Sequence, residues 1–262
     1  MDKISKALEL SRRSGGGHRR AYAAPAPEEI SYTRTRSVAL DPAYLGRQGI
    51  VEGLTDRSAV DAYKLLRTRT MQRMRQNDWK TLGITSAREN EGKSLTAINL
   101  AISIAKKFEH TVVLVDADLR RPSVHRLLGF EPEVGLSDVL KYDTPVEDVL
   151  VHPGIHSLVI IPGREAVDGS SEHLASPKMG GLVQELRNRY PSRYVIVDLP
   201  PVLVGDDVVA FSPLLDAVMV VVEDEKTSTQ ELKRTMDLLE GVDIVGTVLN
   251  KSSDSNQDSY YY

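Results

Sequence analysis

A doubly wound, mainly parallel α/β sheet is the fold this sequence predicts, on three observations. Short apolar runs recur between residues 81 and 249 without polar alternation, which marks strands covered on both faces. Stretches with helical periodicity fill the intervals between them. Charged or glycine-containing segments follow several strand ends, the edge where such a sheet holds its ligands.

Taken in order, Val60, Tyr63, Leu65, Leu66, Met71 and Met74 define a long helix from about Ser58 to Asn77. Strands are predicted at Thr81 to Thr85, Thr111 to Asp116, Ile155 to Ile161, Tyr194 to Asp198, Ala217 to Val222 and Ile244 to Leu249. Helices are predicted at Ser94 to Phe108, Lys178 to Arg189 and Ser228 to Leu239. Ahead of this domain, 57–251, residues 1–13 carry Ile4, Ala7 and Leu8 at the spacing of a short amphipathic helix. Residues 14–56 have the Gly, Pro, Ser and Arg content of a flexible linker, in which Val38, Leu40, Tyr44 and Leu45 form a small cluster able to dock locally. A polar tail, 252–262, ends on Tyr260, Tyr261 and Tyr262, aromatic area with nothing nearby to bury it.

Composition narrows the function classes. The chain has 262 residues, 41% of them hydrophobic, enough for one substantial core. Its formal charge of −4 gives no basic excess of the kind nucleic acid demands. Residues 1–37 nevertheless carry eight Lys or Arg against four Asp or Glu, a basic arm that is either simply solvated or in contact with an acidic partner or membrane surface. The absence of cysteine excludes disulfides, thiolate metal sites and thiol nucleophiles. No apolar run approaches the ~18–20 residues that span a bilayer, so a soluble chain, at most peripherally attached, is expected. Ser11-Arg12-Arg13 opens like a twin-arginine signal, but the polar stretch from Gly15 to Arg20 stands where its apolar segment belongs.

The phosphate chemistry begins at Ala87-Arg88-Glu89-Asn90-Glu91-Gly92-Lys93-Ser94, which fits the Walker A form and sits between an apolar strand and a helix. Backbone N–H groups from Arg88 to Leu95 are expected to cradle phosphate, with Lys93 on its oxygens and the Ser94 hydroxyl on Mg²⁺. Asn90 stands where glycine would be comfortable, and asparagine enters the left-handed region at tolerable cost. Two strand ends add carboxylates, Asp116 and Asp118 after one and Asp198 after another, suited to holding magnesium and to accepting a hydroxyl proton. Each Asp taken singly also reads as a helix or turn cap. Arg120 and Arg121 read equally well as a phosphate clamp or as a solvated basic turn. His152 and His156 are separated by Pro153-Gly154, which prevents a helical metal pair. Asp168, Ser170 and His173 have the letters of a hydrolase triad without its strand-borne elbow, so a surface loop is expected there.

With the loop, Val-Asp-Ala-Asp-Leu-Arg-Arg-Pro, Val-Asp-Leu-Pro-Pro and the terminal tyrosines in this order, residues 57–262 resemble the bacterial tyrosine kinases of polysaccharide synthesis. The closest likeness is to the stand-alone autokinases, including those beside exosortase-type loci. The resemblance implies a P-loop NTPase sheet of the MinD and ParA type and Mg·ATP as phosphoryl donor. It implies that Lys93 and Ser94 bind ATP phosphate and Mg²⁺, that Asp116 and Asp118 are the Walker A′ pair with Asp116 helping to activate the tyrosine, and that Asp198 holds the magnesium shell. Asn250 matches the position near adenine, Glu172 and Leu174 fall in a segment near nucleotide and subunit contacts, and Tyr260, Tyr261 and Tyr262 become phosphoacceptors. Asp61, Lys64 and Arg67 match a Glu-x-x-Arg-x-x-Arg motif through which the family assembles into rings. Asp for Glu and Lys for Arg keep the charges but remove one guanidinium fork. The loop also departs, with Glu89-Asn90 where the family has Pro-Gly. A transmembrane polysaccharide copolymerase is implied as activator, placing the chain in the cytoplasm and recruiting it to the inner membrane. Two other readings fit the same loop: an ATPase switch of the MinD and ParA kind, where Arg88 replaces a signature lysine, and a nucleotide-sensing subunit that transfers nothing.

Overall fold

In the computed structural model, which describes residues 35–107 and 110–252, the apolar runs form one eight-stranded sheet. The strands are β1 (Arg36–Ser37), β2 (Thr81–Ser86), β3 (Thr111–Asp116), β4 (Val151–His152), β5 (Leu158–Ile161), β6 (Arg193–Asp198), β7 (Ala217–Glu223) and β8 (Ile244–Asn250). Their spatial order is β1-β4-β5-β3-β6-β2-β7-β8, and every pairing is parallel except β4 with β5.

Every residue of β2, β3, β6 and β7 is buried, as continuous apolar strands require when helices cover both faces. The pleat divides each strand between two cores. Val112 and Leu114 join Tyr194, Ile196, Met219 and the helices Arg57–Gln76 and Lys93–Ala105 on one face. Val113 and Val115 join Val195, Val197, Val218 and the helix Pro177–Asn188 on the other. Full burial of each Val, Leu or Ile contributes roughly 1.5–3 kcal/mol. Helix starts match their local chemistry, since Asp56 caps Arg57–Gln76, Ser176 caps Pro177–Asn188, and Ser228 with Glu231 forms a capping box on Thr229–Leu238.

Four sequence expectations need correction. The linker expected over 14–56 is folded wherever it is described: β1 pairs with β4, Pro42–Arg47 is a helix capped by Asp41, and Leu45, Ile50 and Val51 are buried. Among its described residues Gly49 and Gly53 stand in turns, whereas Pro42 opens the helix and Gly46 lies inside it. The Val38, Leu40, Tyr44 and Leu45 cluster does dock, with Tyr44 donating to the Arg126 carbonyl at 2.9 Å. The strand expected from Ile155 begins only at Leu158, because Ser157 lies at φ 62° and turns the chain first. Finally, Asp168 to His173 is no surface loop: Ser170–Leu174 is a short helix whose Ser170 and Leu174 are buried. The helix predicted to Phe108 closes at Ala105, where the apolar periodicity gives way to exposed Lys106 and Lys107. The N-terminal amphipathic helix and Tyr260 to Tyr262 lie outside the described residues.

Candidate active site

Strand order assembles the site. β6 lies between β3 and β2, with Asp198 opposite Asp116 on one side and opposite Ile84 on the other. The loop leaving β2 therefore meets both carboxylate strand ends at one sheet edge.

The loop is braced from behind. Asn90 adopts φ 64°, the left-handed conformation expected of it. Gly92 has φ 94°, and a Cβ there would lie 2.0 Å from Asn250 Nδ2, so both backbone and space require glycine. Asn250 Nδ2 donates to the Glu91 carbonyl at 2.9 Å, and Lys251 Nζ donates to the Asn90 carbonyl at 2.6 Å and to Glu223 at 2.9 Å. The buried Glu91 carboxylate accepts from the Arg88 N–H at 2.9 Å and from the Thr227 hydroxyl at 2.5 Å. Glu91 and Asn250, both expected at the nucleotide, thus have side chains occupied in holding the loop, and Arg88 holds it by its backbone N–H. Arg88 is turned outward onto Glu231.

In front of the loop, Lys93 Nζ donates to Asp118 Oδ2 at 2.7 Å and to the Ser94 hydroxyl at 3.2 Å, and lies 3.9 Å from Asp198. Asp118 Oδ1 accepts from the Arg121 N–H at 3.0 Å. Asp116 Oδ2 accepts from the Ser123 and Val124 N–H groups at 2.9 and 3.0 Å. Asp116 Oδ1 and both oxygens of Asp198 are buried without a hydrogen bond of normal geometry among the described residues. Burial, then the charge of Asp198, raises the Asp116 carboxyl to about 7; burial, opposed by Lys93 and Ser94, raises Asp198 to about 6. Burial pulls the Lys93 ammonium down, but Asp198, Asp118 and Asp116 outweigh it and its pKa is raised.

These orphaned oxygens are a fit test for a cation. No group of three or more His, Asp or Glu among the described residues could hold a metal. Mg²⁺ asks for less, one or two carboxylates completed by a hydroxyl, water and phosphate oxygens, and Ser94, Asp116 and Asp198 match that set.

A cavity of about 980 Å³ opens over Lys93, lined on the loop side by Asn90, Gly92, Ser94 and Leu95. Asp118 reaches its wall, whereas Asp116, expected to meet the substrate hydroxyl, is fully buried beneath it. Sequence reasoning missed Tyr44, Ser123, Arg164 and Lys251 on the lining. Arg164 and Lys251 follow the apolar runs of β5 and β8, so the strand-end rule applied to every strand finds both. Tyr44 offers no such signal. Asp61 and Lys64 pair with each other at 2.7 Å on an exposed helix face, while Arg67 donates inward to the Ser103 carbonyl at 3.1 Å.

This fold and loop define a P-loop NTPase. The ParA family model described as NUBPL iron-transfer P-loop NTPase matches residues 79–259. The putative tyrosine-protein kinase CapB of Staphylococcus aureus is 28% identical over 204 residues, 77% of this chain and 88% of that protein. The succinoglycan biosynthesis transport protein ExoP of Rhizobium meliloti is 31% identical over 195 residues, 72% of this chain and 24% of that protein. The solved kinase domain of Escherichia coli tyrosine kinase ETK has a TM-score of 0.70 and 31% identity, covering 78% of this chain and 81% of that one. Within the ParA class, the chain belongs to the bacterial tyrosine-protein kinase family. It spans most of CapB but only about a quarter of ExoP.

Proposed function

We propose that the protein is a Mg·ATP-dependent tyrosine autokinase that phosphorylates Tyr260, Tyr261 and Tyr262 and so regulates polysaccharide polymerisation and export. The observation that carries this reading is the set of buried Asp116 and Asp198 oxygens without a normal hydrogen bond, beside Lys93 and Ser94, a set suited to a cation and a phosphate chain. Ser94, Asp116 and Asp198 would hold Mg²⁺, which when bound neutralises charge on the β and γ oxygens.

The rest is positioning by the chain's own groups. Lys93 exchanges Asp118 for phosphate, and the loop N–H groups fix the donor. Asp118, released from Lys93 on the cavity wall, aligns the phenol; Asp116 stands behind it. The phenol oxygen bonds to the γ-phosphorus, the bond from that phosphorus to the bridging oxygen of ADP breaks, and the phenolic proton passes to the carboxylate. The tail has eleven residues from Lys251 to Tyr262, at most about 37 Å extended, so a neighbouring site is within reach.

Assembly belongs to the same proposal. The face with Asp61, Lys64 and Arg67 is the candidate ring contact, and each phosphotyrosine adds about −1.5 to −2 charge, repelling the tail from carboxylate-lined sites and loosening the ring. The name of ExoP, a succinoglycan biosynthesis transport protein, supports a place beside a polysaccharide copolymerase. No described helix is long and apolar enough to cross a membrane, so recruitment from the cytoplasm to the inner membrane would run through that partner.

Incubation of the full chain with γ-labelled ATP and Mg²⁺ tests the reading. Label on the tail, lost in Lys93→Met and in the triple Tyr→Phe variant of residues 260–262, is expected. Phosphate release without labelling would support the ATPase switch, and neither product would support a nucleotide sensor.

A further inference from the structure

The cavity carries positive charge on two sides. Six Lys or Arg line it, against two acidic residues, Glu89 and Asp118. Lys93 and Lys251 stand on the side of β2 and β8. Arg120, Arg121 and Arg164 come from the loops after β3 and β5, across β6 from the phosphate loop.

Two of these arginines are built into place. Arg120 Nε donates to Asp207 Oδ2 at 2.7 Å, and the other oxygen of this buried carboxylate accepts from the Ser170 hydroxyl. A Cβ on Gly205 would lie 2.7 Å from both Arg120 Nη2 and Asp207 Oδ2, so the loop after β6 gives up its side chain where this pair passes. Arg164 donates to Asp138, a buried carboxylate that the Gly135 N–H also holds, at 2.8 Å. Arg164 reaches that position at φ 69°, a left-handed backbone that arginine rarely adopts. Strain of this kind persists where the surroundings over-determine it, and it clusters at ligand-holding sites. The two side chains remain 42% and 34% exposed, each with one nitrogen committed to its carboxylate. Arg120 Nη2 also lies 3.9 Å from the exposed Asp206, a solvent-screened partner that an incoming carboxylate can displace, and the other donors form rigid forks suited to a carboxylate whose ordering the fold has already supplied.

We propose that Arg120 and Arg164 form an acceptor subsite that selects tyrosines carried in acidic segments, each arginine meeting a carboxylate near the reacting phenol. This rests on the kinase reading above. The chain's own tail has the required chemistry, with Asp254 and Asp258 ahead of Tyr260, Tyr261 and Tyr262. Asp207 and Asp138 are positioning residues that hold the forks.

Two synthetic peptides test the proposal with the unaltered full chain and Mg·ATP: one with the sequence of residues 252–262, the other with Asn replacing both Asp. Phosphorylated peptide is separated and quantified to give kcat and KM. The expected result is a KM about a hundredfold higher for the Asn peptide, the effect of two charge-assisted hydrogen bonds at about tenfold each, with kcat little changed. In Arg120→Gln and Arg164→Gln the ratio of the two KM values should fall toward one while fluorescent-ATP affinity stays the same. Arg120→Lys, which keeps charge without the fork, should also narrow the ratio, and thermal melts check that each variant is folded. Equal KM values for the two peptides with the unaltered chain would overturn the proposal, as would a loss of ATP affinity in the Gln variants. If neither peptide nor tail is labelled, the kinase reading itself fails and takes the subsite with it.

Discussion

Asp116 is the residue with most strain of charge, fully buried beside two other carboxylates and raised to about 7. Its folded pKa lies above its ordinary value of 3.8, so the protonated form favours folding and its contribution to stability falls as pH rises from about 4 to about 7. Asp198, raised to about 6, acts in the same direction. Scanning calorimetry of the metal-free protein should therefore show these two carboxyls lowering Tm between pH 5 and pH 7.5. Asp116→Asn keeps an oxygen for the Ser123 and Val124 N–H groups and removes the buried charge. It should raise the metal-free Tm at pH 7.5 by several degrees, at about 2–4 °C per kcal/mol, while phosphoryl transfer is lost. Cation binding selects the ionised forms, so stabilisation by Mg²⁺ should be larger at pH 8 than at pH 6; the reverse order would remove these residues from the metal site. Asn90 supplies a second test. Asn90→Gly should leave stability unchanged or slightly raised in urea melts, whereas Asn90→Ala should cost about 1 kcal/mol at this left-handed position.

Among the elements, the strands that carry chemistry were legible because they are continuous apolar runs, and β3 spans the residues predicted for it. The short helices Val124–Leu128, Leu136–Tyr142 and Ser170–Leu174 were not, since one or two turns give no measurable period and their formation depends on packing. The segment 35–56 reads as linker for a related reason: Leu45, Ile50 and Val51 are buried and Val38, Leu40 and Leu54 partly so, against elements far along the chain. Leu45→Ala should cost about 2–5 kcal/mol in denaturant melts, like any large-to-small change in a core. A flexible linker would tolerate the same change without loss. Placement within the site was legible along the chain rather than in side-chain direction. Lys93, Ser94, Asp118 and Asn90 stand where the motif places them, while Glu91 and Asn250 face the loop's back because Thr227 and Gly92 lie there, information that no local spacing contains.

For the whole molecule, the open question is assembly. Asp61 and Lys64 are exposed and satisfied by each other, and an exposed pair of this kind contributes little to the fold of one chain. The double charge reversal, Asp61→Lys combined with Lys64→Asp, preserves an ion pair within the helix but inverts what a neighbour meets. Light scattering should then show smaller particles than the unaltered chain gives, with Tm unchanged; particles of equal size would exclude this face as the contact. Tail phosphorylation should lower particle mass in the same assay, and unchanged mass after complete labelling would separate assembly from the tyrosines.

The segment from β1 to Tyr44 joins these scales. It runs from the sheet's edge, where β1 pairs with β4 and Arg36 meets Glu133 at 3.1 Å, to a phenol bonded to the Arg126 carbonyl on the cavity's rim. Two strand residues make a weak fastening, so tension applied upstream of Arg36 would peel β1 first, then load Val38 and Leu40 packed on the core, and only then Tyr44. A pull on the chain from that side would thus reach the cavity's rim through the backbone itself, by way of Tyr44.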